Sequence, residues 1–459
     1  MSDNGLTQAQ QKMREDGLPE AAIKVFSDYY HQLESGQTGL IREDTIDPLL
    51  DPPMLADVAI DEAEAREAFD KTVIIKLNGG LGTSMGLDKA KNLLPVRDGM
   101  TFLGIIVKQV LAAREKYGVR LPLLFMNSFR TAADTEAALA PYPELSVDGL
   151  PLGFVQNREP KLTADTLEPV EWPADPELEW CPPGHGDLYI ALSASGILDK
   201  LVDAGYRYAC VANGDNLGSA PNPQLAGWFA QSGAPYAAEV CRRTINDRKG
   251  GHLAIRKADG QLILRDTAQT APEEMEFFTD EHRHPFFHTN NLWFDLVKLR
   301  DTLIERDSVL GLPMIRNEKT VDPADKASTP VIQIESAMGA AVEVFEGATA
   351  ICVGRDRFVP VKTTNELLLL RSDLYELDED YLLRTTTDST VKVDLDKEHF
   401  KLVDDFTERM PQPVSLREAS SFTVKGDWRF GSGVKAVGDV LLEASEPSTV
   451  EDGTVLGGE

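Results

Sequence analysis

Glycines at positions 79, 80, 82 and 86 follow the apolar run Val73-Ile74-Ile75-Lys76-Leu77 and precede a lysine at position 91. An apolar run opening into such a loop reads as a buried strand emptying into a backbone-exposed turn. Lacking Cβ atoms, the loop lets its amides approach a phosphate or a flat base closely. Lys91 then offers a cation to a phosphate oxygen. No G-K-[ST] closes the loop, so it is not a P-loop, and it is not G-x-G-x-x-G. Taken alone, the pattern also fits a tight turn.

Other segments offer complementary groups. Asp215, in Val211-Ala212-Asn213-Gly214-Asp215-Asn216, follows an apolar run. A carboxylate there suits Mg²⁺, with waters and phosphates completing the octahedron; an Asx-turn is the alternative. His185 sits in Trp180-Cys181-Pro182-Pro183-Gly184-His185-Gly186-Asp187, a bent loop before a helix. A helix start favours a phosphate, and the imidazole can donate to a phosphate or hydroxyl. Gln156 carries both a donor and an acceptor, which suits a base edge; Asn290 and Asn291 can satisfy sugar hydroxyls in both directions.

These positions need elements to hold them. Apolar runs at 73–75, 121–126 and 208–211 alternate with amphipathic stretches at 101–116, 132–139 and 188–204. The alternation predicts βαβ units around a mixed, mainly parallel sheet, with function at the carboxyl ends of its strands. Further strands are expected at 236–240, 253–255 and 262–264. Residues 1–70 read as a mostly helical arm, with Val25, Phe26, Tyr29, Tyr30 and Leu33 at helical spacing. The catalytic unit is expected over 71–388. Beyond it, short apolar positions recur among Gly, Asp and Ser, suggesting a β-helix-like unit or a small β-sandwich over 389–459.

The 459 residues suggest two to three domains with ample core. A net charge of −29 argues against general binding to nucleic acid or anionic membranes. A polyanionic substrate must therefore meet a local cluster of Lys, Arg, amides or metal. Four scattered cysteines, Cys181, Cys210, Cys241 and Cys352, form no C-x-x-C pair and fit a reducing cytoplasm. No secretory signal and no membrane-length apolar run is apparent.

Leu77-Asn78-Gly79-Gly80-Leu81-Gly82-Thr83-Ser84-Met85-Gly86 resembles the signature loop of eukaryotic-type UTP–glucose-1-phosphate uridylyltransferases (UDP-glucose pyrophosphorylases). The resemblance runs in family order from about residue 70 to 375. M-N-S-F-x-T appears at 126–131, and Q-N-R-E-P-K-L at 156–162 stands for Q-S-R-Y-P-R-I. P-P-G-H-G-D (182–187), N-x-D-N-L-G (213–218), F-x-T-N-N-L-W (287–293), Q-x-E-x-A-x-G (333–339) and P-V-K-T-T (360–364) complete the series. Departures occur where the family usually reads M-G-x-K-G-P-K-S. Here Met85-Gly86-Leu87-Asp88-Lys89-Ala90-Lys91-Asn92 has Lys89 and Ala90 at the Gly and Pro positions. Gly214 stands where the family commonly has a bulkier residue, and His288 replaces an Asn.

The resemblance implies a Rossmann-like nucleotidyltransferase core, with Mg²⁺-assisted transfer of uridylyl from UTP to glucose 1-phosphate. Carried over position by position, it makes Lys91 and Lys362 catalytic and Asp215 the metal ligand. Leu77, Asn78, Gly79, Gly80, Lys91, Gln156, Gly184 and Asn213 would bind UTP, with Gln156 reading uracil. Gly79, Gly80, His185, Asn213, Asn290, Asn291 and Glu335 would meet the sugar phosphate. A C-terminal β-helix could also serve homo-oligomer assembly. The related alternatives are an enzyme for N-acetylhexosamine 1-phosphate or for several sugar 1-phosphates, of which the L-N-G-G-L-G-T-S-M-G loop argues against the N-acetyl preference and leaves galactose 1-phosphate open, and a catalytically inert nucleotide-sugar-binding regulator, against which Lys91, Asp215 and Lys362 stand.

Overall fold

Residues 72–78 form a strand because both of their faces are buried, in different places. Val73 and Ile75 point into one hydrophobic cluster and Ile74 into the other. Such two-sided burial reads in sequence as a continuous apolar run rather than an alternation. The computed structural model describes residues 3–244, 247, 250–387 and 390–458. The predicted boundary at 388/389 lies outside the described residues.

The main sheet contains, in chain order, β1 (Ile46–Pro48), β2 (Thr72–Asn78), β3 (Leu123–Asn127), β4 (Gly153–Val155), β5 (Tyr208–Asn213), β6 (Tyr236–Arg242), β7 (His252–Arg256), β8 (Leu262–Arg265), β9 (Phe286–Asp295) and β10 (Thr349–Cys352). Its spatial order is β1-β7-β9-β5-β2-β3-β4, with β6 joining β9 to β10 and β8 flanking β7. The half β5-β2-β3-β4 is wholly parallel. The ten-residue β9 then pairs antiparallel with β5, β6 and β7. This corrects the mainly parallel expectation: five of the nine pairings among the described residues are antiparallel. The physical reason is β9, a long strand buried almost throughout that runs against its neighbours and so divides the sheet.

Helix 101–116 is present as Phe102–Tyr117, capped by Thr101, whose side chain accepts from the Gly104 N–H, and ended by Gly118 in the left-handed region. The single helix expected at 188–204 is two, Leu188–Ala194 and Ile197–Asp203, broken where Gly196 takes φ +72°. The N-terminal residues form helices Asp3–Glu15 and Glu20–Glu34, packed on Leu162, Met314 and Ile332, and then contribute β1 to the main sheet. Near the C-terminus, strands Lys392–Leu395, Ser415–Lys425, Lys435–Glu443 and Val455–Gly457 pair in succession, all parallel, and Trp428–Phe430 pairs parallel with Ser448–Val450. Their apolar side chains share one continuous cluster with helix Phe102–Tyr117. Among the described residues, no helix is long and apolar enough to cross a membrane. The four cysteines are buried and free.

Candidate functional site

β2 and β5 lie side by side with Leu77 opposite Asn213, so the glycine loop and the Asp215 turn leave the same edge of the sheet. The Gly214 N–H donates to the Leu77 carbonyl at 2.9 Å, tying the two turns together. The glycine loop then folds back, with the Lys91 N–H donating to the Gly80 carbonyl at 3.0 Å. Gly82 adopts φ +67°, and a Cβ on it would lie 3.3 Å from Lys91 Cγ. Here the missing side chain gives room to the lysine stem.

Lys91 Nζ donates to Asp215 Oδ2 at 2.5 Å and also to the Val361 carbonyl. One ammonium therefore joins the glycine loop, the turn after β5 and the segment that carries Lys362. That segment is further fixed by a bridge between Asn216 and Pro360 and by the Val359 N–H donating to Asn216 Oδ1 at 2.8 Å. Lys362 is exposed and makes no ion pair among the described residues. Asp215 is a hard oxygen donor already seating a cation. Among the described residues no group of three His, Cys, Asp or Glu gathers to hold a metal. A divalent ion held by one carboxylate, with phosphates and waters supplying the rest, fits this donor set.

A second group of predicted residues meets beside β3 and β4. The Gln156 N–H donates to the Asn127 carbonyl at 2.7 Å. A Cβ on Gly79 would lie 3.0 Å from the Gln156 amide nitrogen, so loop and amide face each other closely. Asn157 follows, donating from its backbone and side chain to Asp187 at 2.6 and 2.8 Å. Asp187 is therefore a tie between the Gln156 segment and the His185 loop, with no side-chain cap on the following helix. Burial pushes its carboxyl up to about 7, against the pull of the two Asn157 donors.

The His185 loop presses on strand Pro330–Ser336. Gly184 has φ +77°, and a Cβ there would stand 2.5 Å from the Ser336 carbonyl and 3.1 Å from Glu335 Cβ. The Met338 N–H donates to His185 Nδ1 at 2.9 Å, so the neutral ring carries its proton on Nε2. Burial lowers the His185 pKa, favouring that neutral form. Burial also raises the carboxyl of Glu335.

Two predicted side chains turn away from the loop cluster. Asn78 donates to Asn127 Oδ1 at 2.8 Å and Thr135 Oγ1 at 2.6 Å, so its side chain ties the end of β2 to β3 and the helix that follows it. Asn291 is corrected from sugar contact to support. Fully buried, it donates to Glu239 Oε2 at 3.2 Å and accepts from Asn216 Nδ2 at 3.2 Å. Its neighbour Asn290 lies where the β6–β9 register shifts and is only partly buried. Asn290 takes φ +60°, its N–H donating to His288 Nδ1 at 2.9 Å.

Sequence reasoning missed the base on which the cation end rests. Arg357 donates to both Glu239 carboxylate oxygens at 2.7 and 2.9 Å, and Trp293 donates to Glu239 Oε1 at 3.0 Å. Burial alone would raise this carboxyl; Arg357, Trp293 and Asn291 hold it below its ordinary value. Lys76 is 2% exposed and donates to Ser219 carbonyl and Oγ, both at 2.7 Å, clamping the far side of the Asp215 turn. Burial lowers its pKa to about 8. A lysine inside an otherwise apolar strand was the signal available for it.

The family model described as UTP–glucose-1-phosphate uridylyltransferase matches residues 23–436. The potato (Solanum tuberosum) UTP–glucose-1-phosphate uridylyltransferase is 38% identical over 409 residues, covering 88% of this chain and 83% of its own. The Saccharomyces cerevisiae enzyme of that name is 36% identical, covering 92% and 84%. A UDP-glucose pyrophosphorylase mutant from Leishmania major, crystallised with UDP-glucose, superposes with a TM-score of 0.92 at 41% identity, over 98% of both chains.

Proposed function

This chain belongs to the UTP–glucose-1-phosphate uridylyltransferase family, and from that premise we propose how its pocket makes UDP-glucose and pyrophosphate from UTP and glucose 1-phosphate. The observation that carries the proposal is Lys91 touching both Asp215 and the backbone beside Lys362. That contact joins Lys91, Asp215 and the backbone next to Lys362, which supports a common triphosphate site for the three.

A sugar-phosphate oxygen attacks the α-phosphorus of UTP in line, and pyrophosphate leaves opposite. The nucleophile is already ionised, so the protein's work is positioning and charge neutralisation. Asp215 would hold Mg²⁺, which when bound neutralises UTP phosphate oxygens. Lys91 exchanges its carboxylate partner for the departing pyrophosphate. Lys362, unpaired and exposed, meets the charge that develops between the reacting phosphates. Leu77, Asn78, Gly79 and Gly80 line the uridine through their backbone, Gln156 reads uracil and Gly184 lines the base. His185 donates from Nε2 to the sugar phosphate, while Asn213, Asn290 and Glu335 meet the sugar phosphate and hexose hydroxyls.

The same reading gives a helical arm (1–70), a Rossmann-like catalytic unit (71–388) and a C-terminal unit (389–459). Consecutive parallel pairing supports a β-helix-like form for the last. Its Leu441 and Val455, 57% and 58% exposed, are compatible with homo-oligomer assembly through this unit. Four buried, free cysteines accord with the cytoplasm.

A pyrophosphate-release assay with UTP and a panel of sugar 1-phosphates, with and without Mg²⁺, tests the reaction. Metal-dependent release with glucose 1-phosphate is expected. A preference for N-acetylhexosamine 1-phosphate, or no release with any sugar, would refute it.

A further inference from the structure

Lys91 and Asn92 open the same short turn, Lys91–Leu93, and meet consecutive residues of the turn after β5. Lys91 pairs with Asp215, while Asn92 lies against Gly214. Asn92 is 3% exposed, and its Nδ2 has no hydrogen-bond partner among the described residues. A buried amide donor without an acceptor is costly to keep. Packing rather than hydrogen bonding holds this one. A Cβ on residue 214 would stand 1.9 Å from Asn92 Nδ2, 2.7 Å from its Cγ and 2.7 Å from the Leu77 carbonyl. Gly214 lies outside the left-handed region, so what the glycine supplies is space for the amide, not conformational freedom.

We propose that Asn92 seated on Gly214 is the lock that sets the spacing between the Lys91 ammonium and the Asp215 carboxylate. Asn92 is a positioning residue; it acts through Lys91. A side chain at 214 must push back the Asn92 amide, and Lys91 would move with it, or shift the Leu77 carbonyl at the root of the glycine loop. The lock rests on the uridylyl-transfer reading for its kinetic consequence but not for its geometry.

The test is a double-mutant cycle of wild type, Asn92→Ser, Gly214→Ser and the double variant, read by steady-state pyrophosphate release and by thermal midpoint. Gly214→Ser alone should lower kcat about tenfold or more while KM for glucose 1-phosphate stays within about twofold, because the sugar end is untouched. Asn92→Ser should lower kcat about threefold, and the double variant should recover part of the Gly214→Ser loss, since emptying position 92 removes both contacts with the amide while the 2.7 Å approach to the Leu77 carbonyl remains. The midpoint should follow the same rescue. A double variant no better than Gly214→Ser, in kcat or in folding, overturns the lock, as does a Gly214→Ser enzyme that behaves as wild type. A wild type that releases no pyrophosphate would refute the reaction instead, leaving the rescue of the midpoint to decide the lock.

Discussion

The two ends of the pocket are built on opposite electrostatic plans. At the cation end, full charges face each other: Lys91 on Asp215, with Lys362 exposed one residue beyond the carbonyl that Lys91 also holds. At the sugar end a neutral imidazole and closely packed backbone take the lead, beside the Glu335 carboxyl that burial raises. His185 has its Nδ1 occupied by a backbone N–H, and Gly184 is seated against Ser336 with no room for a side chain. The difference teaches what each end must do. On the proposed reading the cation end would exchange partners during a turnover, its ion pair being a resting arrangement that an incoming triphosphate would replace. The sugar end has only to recognise, so it is assembled beforehand and held by backbone.

The comparison breaks most visibly at Lys91. Its replacement by Ala should lower kcat/KM by about 100- to 1,000-fold, the scale of losing one preorganised donor to a developing charge. Circular dichroism should stay unchanged, because the lysine's partners lie at the site and not in either core. Steady-state rates alongside the spectrum check this.

Gly184→Ala probes the other end. It forces a Cβ at φ +77° to within 2.5 Å of the Ser336 carbonyl, so the His185 loop must shift. Misplacement of about an ångström costs about 100-fold in rate. Here the loss should come with a raised KM for glucose 1-phosphate, through the His185 loop, and for UTP, through Gly184 itself, whereas the Lys91 loss should fall mainly on kcat.

How much of this was readable follows from the kind of signal each residue gives. β2 announced itself because both faces of Val73, Ile74 and Ile75 are buried. Lys91, Asp215 and Lys362 were legible as motif members, but their meeting is a tertiary fact that spacing does not contain. Asn290 and Asn291 look equivalent in sequence; only the pairing of β9 fixes which one points into the Glu239 network. The antiparallel course of β9 was hidden for the same reason, since its partners are β5, β6 and β7, all distant in the chain. The break at Gly196 was masked by apolar residues whose helical spacing runs straight through it.

Smaller effects sharpen the comparison. Gln156→Ala should narrow the preference for UTP over CTP by about tenfold, measured as a ratio of kcat/KM values, because base readout is lost while the phosphate contacts stay. A variant that keeps the full preference would remove Gln156 from the base. Asp187→Asn should change the pH dependence of stability. The folded carboxyl, at about 7, lies above its ordinary 3.8. Between those values the folded state holds a proton that the unfolded state has released, so this group's contribution is complete below about 3.8 and lost as pH rises through 7. The wild type should therefore lose stability relative to Asp187→Asn between pH 5 and 7, by up to about 1.4 kcal/mol per pH unit. Thermal melts at a series of pH values measure the difference.

The central claim is that one pocket brings Lys91, Asp215 and Lys362 to a common triphosphate, with Lys362 as the cation left free for the transition state. The most direct measurement is kcat/KM of Lys362→Ala in the pyrophosphate-release assay, with melting behaviour as the folding control. A fall of about 100-fold or more at an unchanged melting midpoint is the predicted result. Turnover close to wild type in a folded Lys362→Ala enzyme would contradict it.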